Sequence, residues 1–434
     1  MASTTAATPH GGDTGPPTRS PRTGWPAVIS VTLGLFSIVT TEILPIGLLT
    51  SIGSGFTVSD GMAGLMMTMP GLLAAVSAPL VTVATARIDR RLMLCVFMAL
   101  LASADFLAAA ASDYWVVLVS RVMVGITIGG FWSIGAGLAR RLVPAASVGR
   151  ATAVVFSAVP LGSVLGVPAG TFIGELAGWR VAFVVLGALT AGVLVLLVVS
   201  VPALPAPGVA TRLGVLRTAL HGVNTRFALL LTFLVVCAHF GTYTYVTPFL
   251  EEVTHANSWQ ITSFLLLYGV AGIAGNFLGG AVVVRRPRVA FGSAAGLIAL
   301  VTSLLPVLGH SAACAVALLV VWGAAYGCVP VVSQTWFANA APHAPEAASV
   351  LFTASFQATL SLGALAGGVV VDHVSPSGVM TLGACTAACA VLATWAHGAR
   401  GLTGPMPAGT RTGATDRTPA RPPGPSTETG STVR

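Results

Sequence analysis

Twelve apolar runs, each long enough to cross a bilayer, constrain this 434-residue chain more than any other feature of its sequence. A membrane helix needs about 20 apolar residues to span a hydrocarbon core roughly 30 Å thick. Such runs lie near residues 25 to 50, 61 to 85, 92 to 111, 114 to 138, 151 to 173, 181 to 201, 227 to 249, 260 to 284, 289 to 309, 312 to 338, 347 to 371 and 378 to 398. A chain of this length could instead form two or three soluble domains, but such domains carry about 25% charged residues. Here only 8% are charged and 55% are hydrophobic, with a mean hydropathy of +0.88. The expected fold is an all-α membrane protein of twelve transmembrane helices.

Residues 1–24 and 400–434 are polar and rich in Gly, Pro, Thr and Ser, without periodicity, and are expected to be disordered tails. The first apolar run is longer than a signal-peptide core and lacks a small-residue cleavage site, so it is expected to remain as a membrane helix. The formal net charge of +8 does not point to nucleic acid: the basic residues are all Arg and sit in twos and threes between apolar runs. Cys95, Cys237, Cys314, Cys328, Cys385 and Cys389 fall inside those runs with no CxxC pair, which indicates neither a disulfide framework nor a zinc site.

Positively charged short loops stay cytoplasmic. Alternate connections hold Arg87, Arg90 and Arg91, then Arg140, Arg141 and Arg150, then Arg212, Arg217 and Arg226, then Arg285, Arg286 and Arg288; both tails add more. Only Arg121 and Arg180 of the 21 basic residues fall elsewhere. The intervening loops carry Asp60, Asp113, Glu175, Glu251, Glu252, His255, His310, Asp372 and His373. Both termini are therefore expected in the cytoplasm, with the chain in the cell (inner or plasma) membrane.

The chain also repeats itself. Gly125, Gly129 and Pro144 recur 198 residues later as Gly323, Gly327 and Pro342, and Gly166, Gly170 and Glu175 recur 197 later as Gly363, Gly367 and Asp372. "EILP" (Glu42 to Pro45) lines up with "YVTP" (Tyr245 to Pro248), and Arg87 and Arg90 with Arg285 and Arg288. Two six-helix halves in parallel repeat follow, residues 25–201 and 227–399, joined by a linker over 202–226. Transporters built this way bind solute near the midplane, between the halves.

Five segments carry a resemblance to a known family: "EILPIGLL", "RIDRR" after span 2, "RVMVGITIGGFWS" in span 4, "GSVLGVPAGTFIGELAGWR" through span 5 and "WGAAYGCVPVVSQTW" in span 10. Together they resemble the drug/proton antiporter branch of the major facilitator superfamily, and within it bacterial sugar-efflux and purine-ribonucleoside-efflux transporters. The likeness covers nearly all of residues 25 to 398. It implies that Gly162, Gly166, Pro168 and Gly170 form the family's antiporter motif, a hinge and seal, although small residues at that spacing serve ordinary close helix packing equally well. It implies that Arg87, Asp89, Arg90 and Arg91 latch one gate by pairing with neighbouring helix ends. That loop departs from the family pattern, with Thr82 and Ala86 where a Gly and an acid are usual, and its Arg residues also serve simply to set topology. Arg121 with Gly125 matches the family's "RxxxG", whose Arg is coupled to protonation.

Charges at membrane depth cost about 2.5–3.5 kcal/mol each on insertion scales, so each needs a partner or a task. Glu42 stands in "SIVTTEILPIGLLTS" with no Lys or Arg within fifteen residues on either side. At a rise of 1.5 Å per residue, Glu42, Arg121 and Asp105 fall at similar depth, roughly 10–12 Å inside their spans. They are expected to be neighbours, with Arg121 the counter-charge of Glu42. Either Glu42 carries a proton, its affinity shifting as its surroundings wet and dry, or it forms a static pair with Arg121. Asp105 is a candidate second titrating site or a cavity-lining group, and His239 a candidate titrating or packing residue.

A solute between the halves would meet rings that stack and amides that hydrogen-bond. The candidates are Phe131, Trp132, His239, Tyr243, Tyr245, Asn276, Gln334, Trp336 and Gln357. More amides than acids favour a neutral or weakly basic polar solute.

These features point to proton-coupled efflux of a sugar, nucleoside or drug by alternating access, in a monomer whose partners are the solute, protons and lipid. No cofactor, metal or nucleic acid is expected, and no catalytic residue: HExxH, GxSxG and P-loop patterns are missing from the sequence. A proton symporter or facilitator for uptake, or a non-transporting membrane sensor or scaffold, is the alternative.

Overall fold

A computed structural model describes residues 21–85, 87–135, 138–205, 222–283, 286–340 and 345–399. Most of the expected tails and linker lie outside these residues. Among the described residues twelve spans are long and apolar enough to cross a membrane, carried by α1 (Pro21–Phe56), α2 (Leu65–Ala84), α3 (Arg90–Ala109), α4 (Tyr114–Gly135), α5 (Val148–Ala177), α6 (Trp179–Ser200), α7 (Val223–Tyr243), α8 (Ser258–Val283), α9 (Pro287–Leu308), α10 (Ala312–Gly327, whose span continues to Phe337), α11 (Pro345–His373) and α12 (Pro376–Ala399). No strand occurs among the described residues. Short helices extend several of the twelve: Asp60–Ala63 precedes α2, Val246–Glu252 follows α7, and Val329–Ala340 follows α10.

The helix ends are written in local chemistry. Pro opens α9, α11 and α12, at a position where the missing amide hydrogen costs nothing. Asp89 caps α3 by accepting from the Arg91 and Leu92 amides. Gly178, at φ +88°, reverses the chain between α5 and α6 in one residue, a conformation that favours glycine. α1 starts at Pro21, inside the segment expected to be a tail, and ends six residues beyond its expected limit.

The two halves pack by the same rule. α1 lies on α5 as α7 lies on α11, α2 on α4 as α8 on α10, and α3 on α6 as α9 on α12. Across the halves α2 meets α11 and α5 meets α8. This is the expected pair of six-helix repeats.

Arg90 and Arg141 come together at one end of the bundle, a basic face, and Asp60, Glu251, Glu252 and Asp372 at the other, an acidic face. Near the acidic face the halves fuse: one apolar cluster joins Leu48, Leu49, Ile52 and Trp179 of the first half to Tyr245 and Val379 of the second. Towards the basic face they part, and the first half keeps a core of its own around Leu35, Phe97, Ile128 and Phe131.

Candidate functional site

A cavity of about 320 Å³ lies where the halves part. Its walls are Val39, Glu42 and Ile43 from α1; Phe156, Val159 and Ser163 from α5; Tyr326 from α10 and Pro330, Gln334 and Phe337 from the short helix after it; and Phe352, Thr353, Phe356, Gln357 and Leu360 from α11. Trp132 and Phe240 complete it. The walls are mostly rings: Trp132 and Phe156 of the first half approach to 6.1 Å between centroids, and Phe352 and Phe356 of the second to 5.5 Å. Glu42 is its single acidic lining residue.

Glu42 meets the second half directly. Gln357 Nε2 donates to Glu42 Oε1 at 2.8 Å, and both side chains are buried. Gly71 of α2 lets α11 pack closely against the first half here, since a Cβ there would stand 2.6 Å from the Gln357 carbonyl oxygen. The expected pairing of Glu42 with Arg121 is not what forms. Successive helical residues point 100° apart, so Glu42 faces the cavity while Thr41 faces the interior of the first half, and Arg121 reaches Thr41. Arg121 Nη1 donates to the Thr41 carbonyl at 2.9 Å, and its guanidinium lies over the Phe183 ring at 5.0 Å. The Thr41 hydroxyl donates to Asp105 Oδ2 at 3.2 Å. Asp105 and Arg121 are thus a group inside the first half, bonded to Thr41 next to Glu42 but outside the cavity lining.

On the acidic side the cavity is shut. Asp372 Oδ2 accepts from the Ser59 hydroxyl at 2.7 Å and Oδ1 from the Gly61 amide at 2.8 Å, tying α11 to the chain before α2. The Thr50 hydroxyl donates to Glu251 at 3.0 Å, and the Thr247 hydroxyl to the Ile46 carbonyl at 2.9 Å.

Of the nine candidate solute contacts, Trp132, Gln334 and Gln357 line the cavity. Tyr245 instead fills the acidic seal, with its hydroxyl donating to the Ala364 carbonyl at 2.8 Å. His239 and Tyr243 are buried in an aromatic stack with Tyr268, Tyr326 and Trp322, of which only Tyr326 reaches the cavity. Phe131 sits in the core of the first half. Trp336 packs against Phe227 and Phe291, and Asn276 is half-buried on α8 away from the lining. Sequence reasoning missed Phe156, Phe240, Tyr326, Phe337, Phe352 and Phe356. The signal was present as helical spacing: Phe352, Phe356 and Leu360 follow each other every four residues beside Gln357, and Tyr326, Pro330 and Gln334 do so from the end of α10 into the helix after it.

The glycines of α5 seat α1: a Cβ on Gly166 would stand 3.0 Å from the Thr40 side chain, and Gly162 and Gly170 face Val39 and Leu44. Pro168 is buried on the same helix. In the basic loop, Arg90 folds back onto Thr85 and Arg91 donates to the Val198 carbonyl at the end of α6, so these three bonds stay in the first half. Arg87 is exposed.

Two parallel-repeat halves around a central solute-sized cavity define a secondary transporter fold. Residues 31–363 match the Major Facilitator Superfamily model, and the chain belongs to that superfamily. It is 33% identical over 352 residues to the "Transcription regulatory protein OpdE" of Pseudomonas aeruginosa, covering 80% of this chain and 88% of that one. It is 30% identical, covering 81% and 88%, to the "Purine ribonucleoside efflux pump NepI" of Salmonella paratyphi A. Among solved structures, a bacterial homolog of the human lysosomal transporter Spinster, inward-facing and unoccupied, matches at a TM-score of 0.69 with 17% identity over 88% of this chain and 96% of that one. The human organic anion transporter MFSD10 matches at 0.63 with 16% identity over 86% and 99%.

Proposed function

We propose that this transporter exports a small, ring-bearing polar solute in exchange for protons, and that Glu42 is where the two meet. The observation that carries the reading is Glu42 itself: a carboxylate in an aromatic cavity between the halves, hydrogen-bonded across them by Gln357. The Arg-rich face is taken as cytoplasmic, which makes this conformation open to the cytoplasm and shut outside. The basis for export is the chain's likeness to a pump whose name specifies purine ribonucleosides.

In the cycle we envisage, solute enters from the cytoplasm, stacks on the aromatic walls and displaces Gln357 from Glu42. Rocking of the halves then breaks the acidic seal and releases solute outside, where Glu42 takes a proton and carries it inward on return. One proton crossing 100 mV yields about 2.3 kcal/mol, or roughly forty-fold in solute concentration. The family relation to a protein named as a transcription regulator keeps a signalling role as the second reading.

Inverted membrane vesicles containing the full chain, given labelled adenosine, inosine or glucose under an imposed pH gradient, test this. Accumulation that an uncoupler abolishes is the expected result. Solute movement unaffected by the uncoupler refutes proton coupling, and no movement of any solute favours the signalling reading.

A further inference from the structure

Pro45 has no amide hydrogen, so in α1 the carbonyl four residues earlier, that of Thr41, loses its helical donor. A buried carbonyl without a partner is costly. Yet α1 runs unbroken from Pro21 to Phe56. The missing donor comes from another helix: Arg121 Nη1 of α4, fully buried, bonds that same Thr41 carbonyl at 2.9 Å. Asp105 of α3 then closes the group, accepting from the Thr41 hydroxyl at 3.2 Å and lying within electrostatic reach of the guanidinium.

The second half supplies an internal comparison. Pro248 is the repeat partner of Pro45 and strips the donor from the Thr244 carbonyl in the same way. The position matching Arg121, 198 residues on, is Leu319, a buried side chain with nothing to donate. There the helix does break: α7 stops at Tyr243, Thr244 and Tyr245 form a turn, and a new helix begins at Val246. The same proline in the same register leaves one helix whole and the other jointed. One difference between the halves at this point is the cation, which the second half lacks at Leu319.

We infer that Arg121, steadied by Asp105, is a positioning residue that clamps the Pro45 site of α1 and thereby holds Glu42 in the cavity wall opposite Gln357. The inference rests on Glu42 being the coupling group. It moves Arg121 and Asp105 out of the proton path and makes them part of the mounting: α1 swings as one rod, whereas its counterpart α7 can flex beside Tyr245 and the acidic seal.

Backbone hydrogen exchange on the full-length protein, read by mass spectrometry over residues 38–50 and 241–253, tests the clamp without needing a solute or a proton gradient. In the native chain the α1 segment is expected to exchange about tenfold more slowly than the α7 segment, the effect of one well-made hydrogen bond on local opening. The pair R121M/D105N, which removes the clamp with its charges balanced, is expected to abolish that difference. Adding P45A, which returns an amide donor to the Thr41 carbonyl, is expected to restore it. Equal exchange in the two native segments overturns the inference, as does protection that survives R121M/D105N or that P45A fails to recover. If R121M/D105N does not accumulate in the membrane, the native comparison alone decides. The E42Q variant is expected to leave α1 exchange unchanged, so failure of the Glu42 reading shows in transport and failure of the clamp shows here.

Discussion

Gln357 of α11 and Glu42 of α1 share a 2.8 Å hydrogen bond across the interface between the two halves. In the proposed cycle a bond placed there is made and broken as the halves rock, which ties the state of one carboxylate to the position of the halves.

Replacing Glu42 by Gln keeps the shape and removes the titration. Gradient-driven uptake into inverted vesicles should fall at least about tenfold, a loss of roughly 1.4 kcal/mol in coupling. Counterflow of labelled against unlabelled solute should persist, and its dependence on pH should flatten. Uphill transport by E42Q with the native pH profile would show that another group carries the proton.

Gln357→Leu removes the amide that answers Glu42 across the interface. One hydrogen bond is worth about 0.5–1.5 kcal/mol, so the half-saturating solute concentration should rise about three- to ten-fold if the amide also contacts solute. An unchanged value would leave Gln357 with a role only between the halves.

Trp132→Ala and Phe156→Ala strip the ring wall of the first half. Aromatic stacking is worth about 0.5–1.5 kcal/mol beyond area burial. Affinity for a nucleoside should therefore drop about three- to ten-fold in each variant, while that for a ringless sugar should change far less. Equal losses for both would argue that the rings shape the cavity without stacking on solute.

Asp372→Ala cuts two hydrogen bonds to a carboxylate at the acidic seal, from the Ser59 hydroxyl and the Gly61 amide. Bonds to charged groups contribute about 1.5–3 kcal/mol each, so the population open at the acidic face should rise at least tenfold. A cysteine at Ser361, fully buried in the α11 face that meets α2, in a background without the native cysteines, should then react faster with a membrane-impermeant thiol reagent added on that side. Unchanged labelling would show that the apolar cluster around Tyr245 and Trp179 holds the seal alone.

Span count, the alternation of Arg between connections and the two-fold repeat were legible in the sequence because each depends on solvent or on chain period. So were the intramembrane groups Glu42, Arg121 and Asp105, since charge in lipid stands out against an apolar background. Their partners were not legible. Equal depth made Arg121 a plausible mate for Glu42, but a helix turns 100° per residue, and depth says nothing of azimuth. The same limit sent Tyr245, His239, Tyr243 and Phe131 to the candidate list while Phe156 and Phe356 were passed over: ring chemistry is visible in one dimension, but the face on which a ring points is not.

The sequence by itself determined that this chain crosses a membrane twelve times as two related halves, because twenty apolar residues in lipid must satisfy their own backbone. Only the tertiary structure decided which side chains face one another. It set Gln357 rather than Arg121 against Glu42, and it gave Arg121 to a carbonyl that Pro45 had left bare, because those choices depend on how helices distant in sequence are rotated and packed together.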